Sequence, residues 1–230
     1  LAFFFEQKYT WHYHPSRSKL NAHGNGWSWD DYPYYYAAES SPFPIYGNTT
    51  QVFLDSNKTK LIPKTFNQHL VLDTLEQNYH RERSKNHFYL NPYKLEKGDT
   101  LYIPFITSDS LFTQLLQDRI QRPVKLMEQT DSLQKWNVLY SYQEALLYKA
   151  LLQDSDNGAA ESLLNMISQT TFGEMNVKKT IDTLKLQWEQ WLPDPIEWVD
   201  GSGVSRYNML TPRTLIAVLK KIYQEIGLET

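Results

Sequence analysis

Apolar and polar positions change their rhythm along the chain. Residues 1–50 crowd aromatic side chains among turn formers, with Gly24, Asn25 and Gly26 ahead of Trp27, Trp29 and the run Tyr34-Tyr35-Tyr36. That pattern fits short strands and loops. Aromatics at this density are expected to pack a core with their polar tips satisfied locally, although the same rings can stack on a sugar or peptide. Further on, the segments at 87–93 and 100–105 flank Glu96-Lys97-Gly98-Asp99 and predict a β-hairpin with a glycine turn. A helix follows: Ser108 or Asp109 can cap it, and Leu111, Phe112, Leu115, Leu116 and Ile120 form an apolar stripe that stops before Pro123. These strands and this helix predict a small α/β unit.

After about residue 130 the spacing is mainly helical. Leu139, Leu146, Leu147, Ala150 and Leu151 mark one helix that ends near Gln153. The polar stretch Asp154-Ser155-Asp156-Asn157-Gly158 interrupts it, and Ala160, Leu163, Leu164 and Ile167 resume the helical period, so Ser155 and Asn157 sit at a helix–helix corner. Near the end, Thr211 can cap a helix with Pro212 in its first turn, and Leu215, Ile216, Leu219, Ile222, Tyr223 and Ile226 mark the face expected to be buried. No internal repeat or low-complexity tract interrupts the pattern.

Composition narrows the classes without choosing among them. The 230 residues are 41% hydrophobic and 21% charged, which suits a folded globular protein. A formal net charge of -3 gives no global reason to expect a nucleic-acid partner. No cysteine is present, so disulfides, thiolate nucleophiles and cysteine-ligated zinc are excluded. No stretch approaches the roughly 20 apolar residues of a membrane span, and the apolar run at 1–5 lacks the flank and length of a signal peptide. The chain starts at Leu1 rather than at an initiator methionine, from which residues are expected to be missing in front. His12 and His14 can chelate a metal, but spacing supplies no third ligand. No glycine-rich phosphate loop follows a strand.

The chemistry concentrates in three segments. Ser155-Asp156-Asn157 stands between two apolar helices. By itself the tripeptide also fits a solvent-exposed helix cap. Its serine hydroxyl can relay a proton and its asparagine amide can hydrogen-bond a peptide carbonyl, provided both reach a cleft. The second segment is Asp200-Gly201-Ser202-Gly203-Val204-Ser205-Arg206-Tyr207-Asn208, followed by Leu210-Thr211-Pro212. Read bottom-up, it is a polar loop leading into a helix, its glycines allowing tight backbone geometry. The third is Gly26-Trp27-Ser28-Trp29-Asp30-Asp31, where the two aspartates also fit an ordinary turn.

Taken in chain order, 26–31, 155–157 and 200–212, the three segments resemble the low-molecular-mass, class C penicillin-binding proteins, the D-alanyl-D-alanine carboxypeptidase/endopeptidase or S13 peptidase family. The resemblance implies a mixed α/β fold: an incomplete serine β-lactamase/transpeptidase-like domain, mainly its helical part, with a smaller inserted α/β subdomain. It divides the chain into 1–37, an N-terminal segment of the transpeptidase-like domain; 38–130, the insertion; and 131–230, the helical part. The implied activity is serine-type hydrolysis of D-Ala-D-Ala or of peptide cross-links through an acyl-enzyme. Ser155 and Asn157 are the implied catalytic residues, Ser155 assisting proton transfer and Asn157 orienting substrate. Trp27, Asp30, Ser205 and Arg206 are the implied substrate-binding residues. The implied partners are peptidoglycan stem peptides, and β-lactam antibiotics where the complete site is present; the implied place is the bacterial cell envelope, periplasmic or extracytoplasmic. No metal or organic cofactor is implied, and oligomeric state is left open.

Two family elements find no convincing counterpart. Ser-x-x-Lys is spelled at Ser16 with Lys19 and at Ser132 with Lys135, but the first lacks an apolar helix to carry it and the second falls where the family has no nucleophile and reads as a helix cap. Lys-Thr-Gly occurs nowhere. An incomplete copy of an active enzyme is the expectation; the alternative is a non-catalytic peptidoglycan-binding or scaffold homologue.

Overall fold

The computed structural model describes residues 10–14, 20–56, 58–127 and 144–227. The fold is mixed α/β. Its strands are β1 (Trp11–Tyr13), β2 (Thr49–Asp55), β3 (Lys58–Ile62), β4 (Leu70–Leu72), β5 (Tyr79–Arg81), β6 (Phe88–Leu90), β7 (Thr100–Pro104) and β8 (Val124–Leu126). The helices are α1 (Asp109–Ile120), α2 (Glu144–Leu152), α3 (Asn157–Phe172), α4 (Val177–Trp188) and α5 (Pro212–Ile226). Three small sheets form, in the orders β3-β2-β7, β4-β6-β5 and β1-β8.

One core lies beneath the two larger sheets. Val52 on β2 stands opposite Leu61 of β3 and Leu101 of β7, so period-two alternation sends Val52, Leu61 and Ile103 to the same buried side. Phe88 and Leu90 of β6 enter the same cluster with Phe66, Leu95, Phe105 and Leu115. The Phe66 ring packs 5.3 Å from Phe88 and 5.2 Å from Phe105, centroid to centroid. Each such side chain contributes about 1.5–3 kcal/mol of burial.

The expected hairpin across 87–105 does not form. β6 pairs with β4 and β5, whereas β7 pairs antiparallel with β2. A glycine turn is present, with Gly98 at φ +100° and the Asp99 amide donating to the Glu96 carbonyl at 3.2 Å. The chain has already been redirected before it arrives there. Asn91 is buried, its side chain accepts from the Tyr93 amide at 3.0 Å, and Pro92 opens a 3-10 turn at Pro92–Lys94 that ends β6 pairing.

Helix caps follow the sequence closely. Ser108 Oγ accepts from the Leu111 amide, and Phe112, Leu115 and Ile120 are buried. Thr211 caps α5 with Pro212 in the first turn. The apolar face of α5 departs from expectation: Leu215, Ile216, Leu219, Ile222, Tyr223 and Ile226 are all exposed, and Thr214 is the helix's buried residue. Amphipathic spacing specifies that a face wants cover; among the described residues nothing lies over this one. Leu139 of the predicted earlier helix lies outside the described residues. Between β1 and β2 the aromatic-rich stretch makes 3-10 turns, Trp29–Asp31, Tyr35–Ala37 and Ile45–Asn48, in place of the expected short strands. Trp29 and Tyr35 do not pack a core there; they are 74% and 64% exposed.

Candidate functional site

The corner between α2 and α3 is built by backbone hydrogen bonds that fold the chain back on itself. The Asp156 amide donates to the Ala150 carbonyl at 2.9 Å, while Ser155 takes a left-handed φ of 53°. A non-glycine residue there costs about 1 kcal/mol or more. Asp156 is the cap of α3, its Oδ1 accepting from the Ala159 amide at 3.0 Å. Because Asp156 does the capping, Asn157 is left to face elsewhere, and its Nδ2 donates to the Tyr36 carbonyl at 2.8 Å. Ser155 is exposed at the tip of the corner.

The second segment winds around a single carboxylate. Asp200 is only 3% exposed. Its Oδ1 accepts from the Gly203 amide (2.9 Å) and Asn208 Nδ2 (2.7 Å), and its Oδ2 accepts from the Ser205 amide (2.7 Å) and Trp27 Nε1 (2.8 Å). Four donors on one buried carboxylate hold the loop in one shape. The Trp198 indole adds a hydrogen bond to the Asp200 carbonyl at 2.6 Å.

Trp27 therefore joins the third segment to the second, and two further links run beside it. Ser205 Oγ donates to the Asn25 carbonyl at 2.7 Å, and the Arg206 amide donates to the Gly26 carbonyl at 3.2 Å. Gly26 sits at φ +80°, where a Cβ would meet the Tyr207 ring at 2.6 Å and Ser205 Oγ at 2.7 Å. Only glycine allows the two loops to approach this closely.

Glu161 closes the remaining side. One turn beyond Asn157 on α3, its Oε1 accepts from the amides of Gly201 and Ser202, both at 3.0 Å. Gly201 lies against α3, where a Cβ would come within 2.7 Å of the Ala160 carbonyl oxygen. Burial raises the Glu161 pKa and the charge of Asp200 adds to this, against the lowering effect of the hydrogen bonds from Ser202 and Gly201. Neither Glu161 nor Asp200 was singled out as a functional residue from the sequence. The available signal for Glu161 was an acidic residue between Ala160 and Leu164 on the apolar face of the helix.

A cleft of about 720 Å³ opens between residues 35–49 and the first half of α3. Trp27, Asn157, Glu161, Asn165, Glu39 and Tyr102 are among its walls. Ser155 is not a lining residue, although its neighbours Asp154 and Asp156 are. Glu39 is itself buried, with Oε2 accepting from the Thr107 amide at 2.8 Å and the Thr107 hydroxyl at 2.9 Å.

The expected substrate-binding residues divide. Trp27 reaches the cleft. Ser205 is 4% exposed and its hydroxyl also accepts from the Tyr207 amide at 3.2 Å, so it is engaged in holding the loop. Asp30 lies on the outer surface with its side chain 92% exposed, 3.5 Å from Arg83 Nη2. Arg206 is exposed and its Nη2 donates to Ser28 Oγ at 3.4 Å. Arg83, which no sequence pattern marked, stacks its guanidinium 3.8 Å from the centre of the Trp29 ring and donates to the Trp29 carbonyl at 2.9 Å. Both Ser-x-x-Lys spellings, Ser16 with Lys19 and Ser132 with Lys135, lie outside the described residues. Among the described residues no group of three metal-ligating side chains occurs.

The family model of D-Ala-D-Ala carboxypeptidase 3 (S13) matches residues 96–229. Penicillin binding protein 4 of Haemophilus influenzae shares the fold, with a TM-score of 0.62 at 18% identity over 93% of this chain and 53% of that one. A second structure of the same protein, complexed with a β-lactam, gives a TM-score of 0.55 at 18% identity over 84% of this chain and 50% of that one. The chain thus spans about half the length of these solved structures. No curated protein matches it in sequence.

Proposed function

The chain belongs to the D-Ala-D-Ala carboxypeptidase 3 (S13) family, and from that premise we propose that it forms one wall of the active site of a serine-type D-alanyl-D-alanine carboxypeptidase/endopeptidase. The substrate would be a peptidoglycan stem peptide in the bacterial cell envelope, cleaved through an acyl-enzyme. One observation carries this reading: Asp200, Glu161 and Asn157 tie the three motif segments together beside one cleft. Coincidental loops would have no reason to converge.

In this reading Asn157 presents its side-chain amide to a carbonyl of the substrate peptide. Ser155, exposed at the corner, relays a proton toward the leaving nitrogen. Trp27 shapes the pocket while holding Asp200, and Ser205 positions the loop that displays Arg206. Arg206 and Asp30, exposed and outside the cleft lining, engage charged groups of the stem peptide in this reading. A serine, with a lysine as its base, attacks the D-alanyl carbonyl, and the terminal D-alanine leaves as its nitrogen takes up the proton; neither role is assigned to a described residue. Residues 38–130, with the β-rich core, serve as an inserted subdomain that supports the wall carrying Glu39 and Tyr102.

The test is to incubate the natural protein that carries this sequence with a penicillin, then measure intact mass and map the modified peptide. The reading predicts one penicillin bonded to one serine, as acyl transfer requires. A protein that binds a stem peptide yet never gains the adduct is instead a non-catalytic peptidoglycan-binding homologue. β-Lactam recognition by the solved Haemophilus protein supports the choice of probe.

A further inference from the structure

The dipeptide Asn-Gly occurs twice in the chain, at Asn25-Gly26 and at Asn157-Gly158. This pair has a chemistry of its own, because glycine has no Cβ to keep its backbone nitrogen away from the preceding carboxamide. Attack of that nitrogen on the asparagine Cγ closes a five-membered imide and expels ammonia. The fold gives the two copies opposite surroundings.

At the first copy the nucleophile's own peptide group is polarised. The Asn25 carbonyl and the Gly26 nitrogen belong to one peptide unit, and Ser205 Oγ donates to that carbonyl oxygen at 2.7 Å. Ser205 is buried, and its oxygen accepts from the Tyr207 amide at 3.2 Å, which strengthens its hydroxyl as a donor. When the Gly26 nitrogen gives up its proton, resonance carries the charge onto the carbonyl oxygen, where the Ser205 hydroxyl stabilises it. Asn25 is exposed, and among the described residues neither its carboxamide nor the Gly26 amide makes a hydrogen bond that would restrain it. The second copy is restrained. Asn157 Nδ2 donates to the Tyr36 carbonyl at 2.8 Å, and both Asn157 and Gly158 lie in the first turn of α3. A Cβ on Gly158 would come within 3.2 Å of Asp156 Oδ1, and a carboxylate so near opposes loss of an amide proton.

We propose that Asn25-Gly26 is a self-modification site, activated by Ser205, at which the folded protein converts Asn25 to aspartate and isoaspartate. The Gly26 nitrogen loses its proton to hydroxide and bonds to Asn25 Cγ. The Cγ–Nδ2 bond breaks, and ammonia leaves with a proton from water, which restores the hydroxide. A second water then opens the imide. Opening at Cγ gives aspartate; opening at the Asn25 carbonyl carbon gives isoaspartate, whose main chain runs through Cγ and is one methylene longer. The junction has no room for that methylene, because Gly26 is packed against Tyr207 and Ser205 and its carbonyl holds the Arg206 amide at 3.2 Å. Isoaspartate therefore loosens the loop at 24–31 from the loop at 200–208.

The test incubates the natural protein that carries this sequence at mildly alkaline pH and follows positions 25 and 157 by peptide mass mapping, with fragmentation that separates aspartate from isoaspartate. Asn25 should convert at least about tenfold faster than Asn157, the factor that one restraining hydrogen bond supplies. The folded protein should also convert Asn25 faster than the same chain in guanidinium chloride, since only the fold places Ser205 on the carbonyl. Slower conversion in the fold would overturn the proposal with no variant needed. Ser205→Ala should slow conversion at Asn25 by about tenfold, the rate equivalent of one hydrogen bond to the developing charge. Loosening of the loop by that substitution acts in the opposite direction, so an equal or faster rate in the variant would also overturn it. As isoaspartate accumulates, deuterium exchange at the Arg206 amide should speed up, whereas freshly prepared Asn25→Asp, with a main chain of ordinary length, should leave it unchanged. An Arg206 amide that stays equally protected in the isoaspartate form would contradict the loosening of the two loops.

Discussion

Trp27 Nε1 and Asp200 Oδ2 meet at 2.8 Å across 173 positions of sequence. This single hydrogen bond joins the loop after Gly26 to the loop before α5, and it ends on a carboxylate with three other donors. The arrangement makes Asp200 the organising residue of the site and Trp27 its most remote support.

Substitution at the two ends should differ in size. Trp27→Phe removes one donor from a carboxylate that retains three, and should cost about 1–2 kcal/mol. Asp200→Asn turns one oxygen into an NH2 that faces donors, and should cost about 3 kcal/mol or more. Urea unfolding with matched slopes measures both; a smaller loss for Asp200→Asn than for Trp27→Phe would refute the central role of the carboxylate.

Glu161 should give the fold a pH signature. Its pKa is raised by burial, so the folded state holds the proton more tightly than the unfolded chain. The stabilising contribution of that proton is fully present below the ordinary carboxylate range and is lost as pH rises through the raised folded value. Glu161→Gln keeps an acceptor for the Gly201 and Ser202 amides and should flatten this part of the stability profile. Glu161→Ala strands both amides and should cost about 1–3 kcal/mol at every pH. Denaturant midpoints collected from acid to neutral pH distinguish the three proteins.

Arg83 should matter for local order more than for global stability. It is stacked on Trp29 and lies close to Asp30, yet the ion pair is exposed and worth about 0–1 kcal/mol. Arg83→Gln should shift Trp29 emission to the red and increase its quenching by added iodide, with little movement of the unfolding midpoint. Unchanged quenching would mean the stacking does not persist in solution.

The exposed face of α5 should make the 230-residue chain associate with itself. Leu219 and Ile226 are 65% and 59% exposed on one apolar stripe. Leu219→Glu should lower the association seen by sedimentation at rising concentration while changing the unfolding free energy by no more than about 0.5 kcal/mol. Association that ignores the substitution would place the contact elsewhere.

Local chemistry was legible in the sequence and long-range partnership was not. Caps at Ser108 and Thr211 and the corner at Ser155 rest on neighbours within a turn or two, where residue type decides the conformation. The hairpin reading failed because strand choice for β7 depended on β2, nearly fifty positions away in the chain order, and on the early stop imposed by Asn91 and Pro92. Glu161, Glu39 and Arg83 escaped notice for a related reason: each takes its meaning from a group in another segment. Ser205 was expected to bind substrate; tertiary packing turns its hydroxyl toward the Asn25 carbonyl. The α5 stripe was expected to be buried and is exposed, since pattern alone does not tell whether the cover of an apolar face is present.

The most direct test of the account is calorimetric titration of the protein with a stem peptide ending in D-Ala-D-Ala, compared with Asn157→Ala. The substitution removes one side-chain hydrogen bond to Tyr36, so the unfolding free energy should fall by no more than about 1–1.5 kcal/mol. The account predicts saturable binding by the wild-type protein and at least about tenfold weaker binding by the variant, since a lost hydrogen bond to a desolvated carbonyl is worth about that much. Equal affinity in the two proteins, or no binding by the wild type, would contradict the assignment of this cleft as a peptide site.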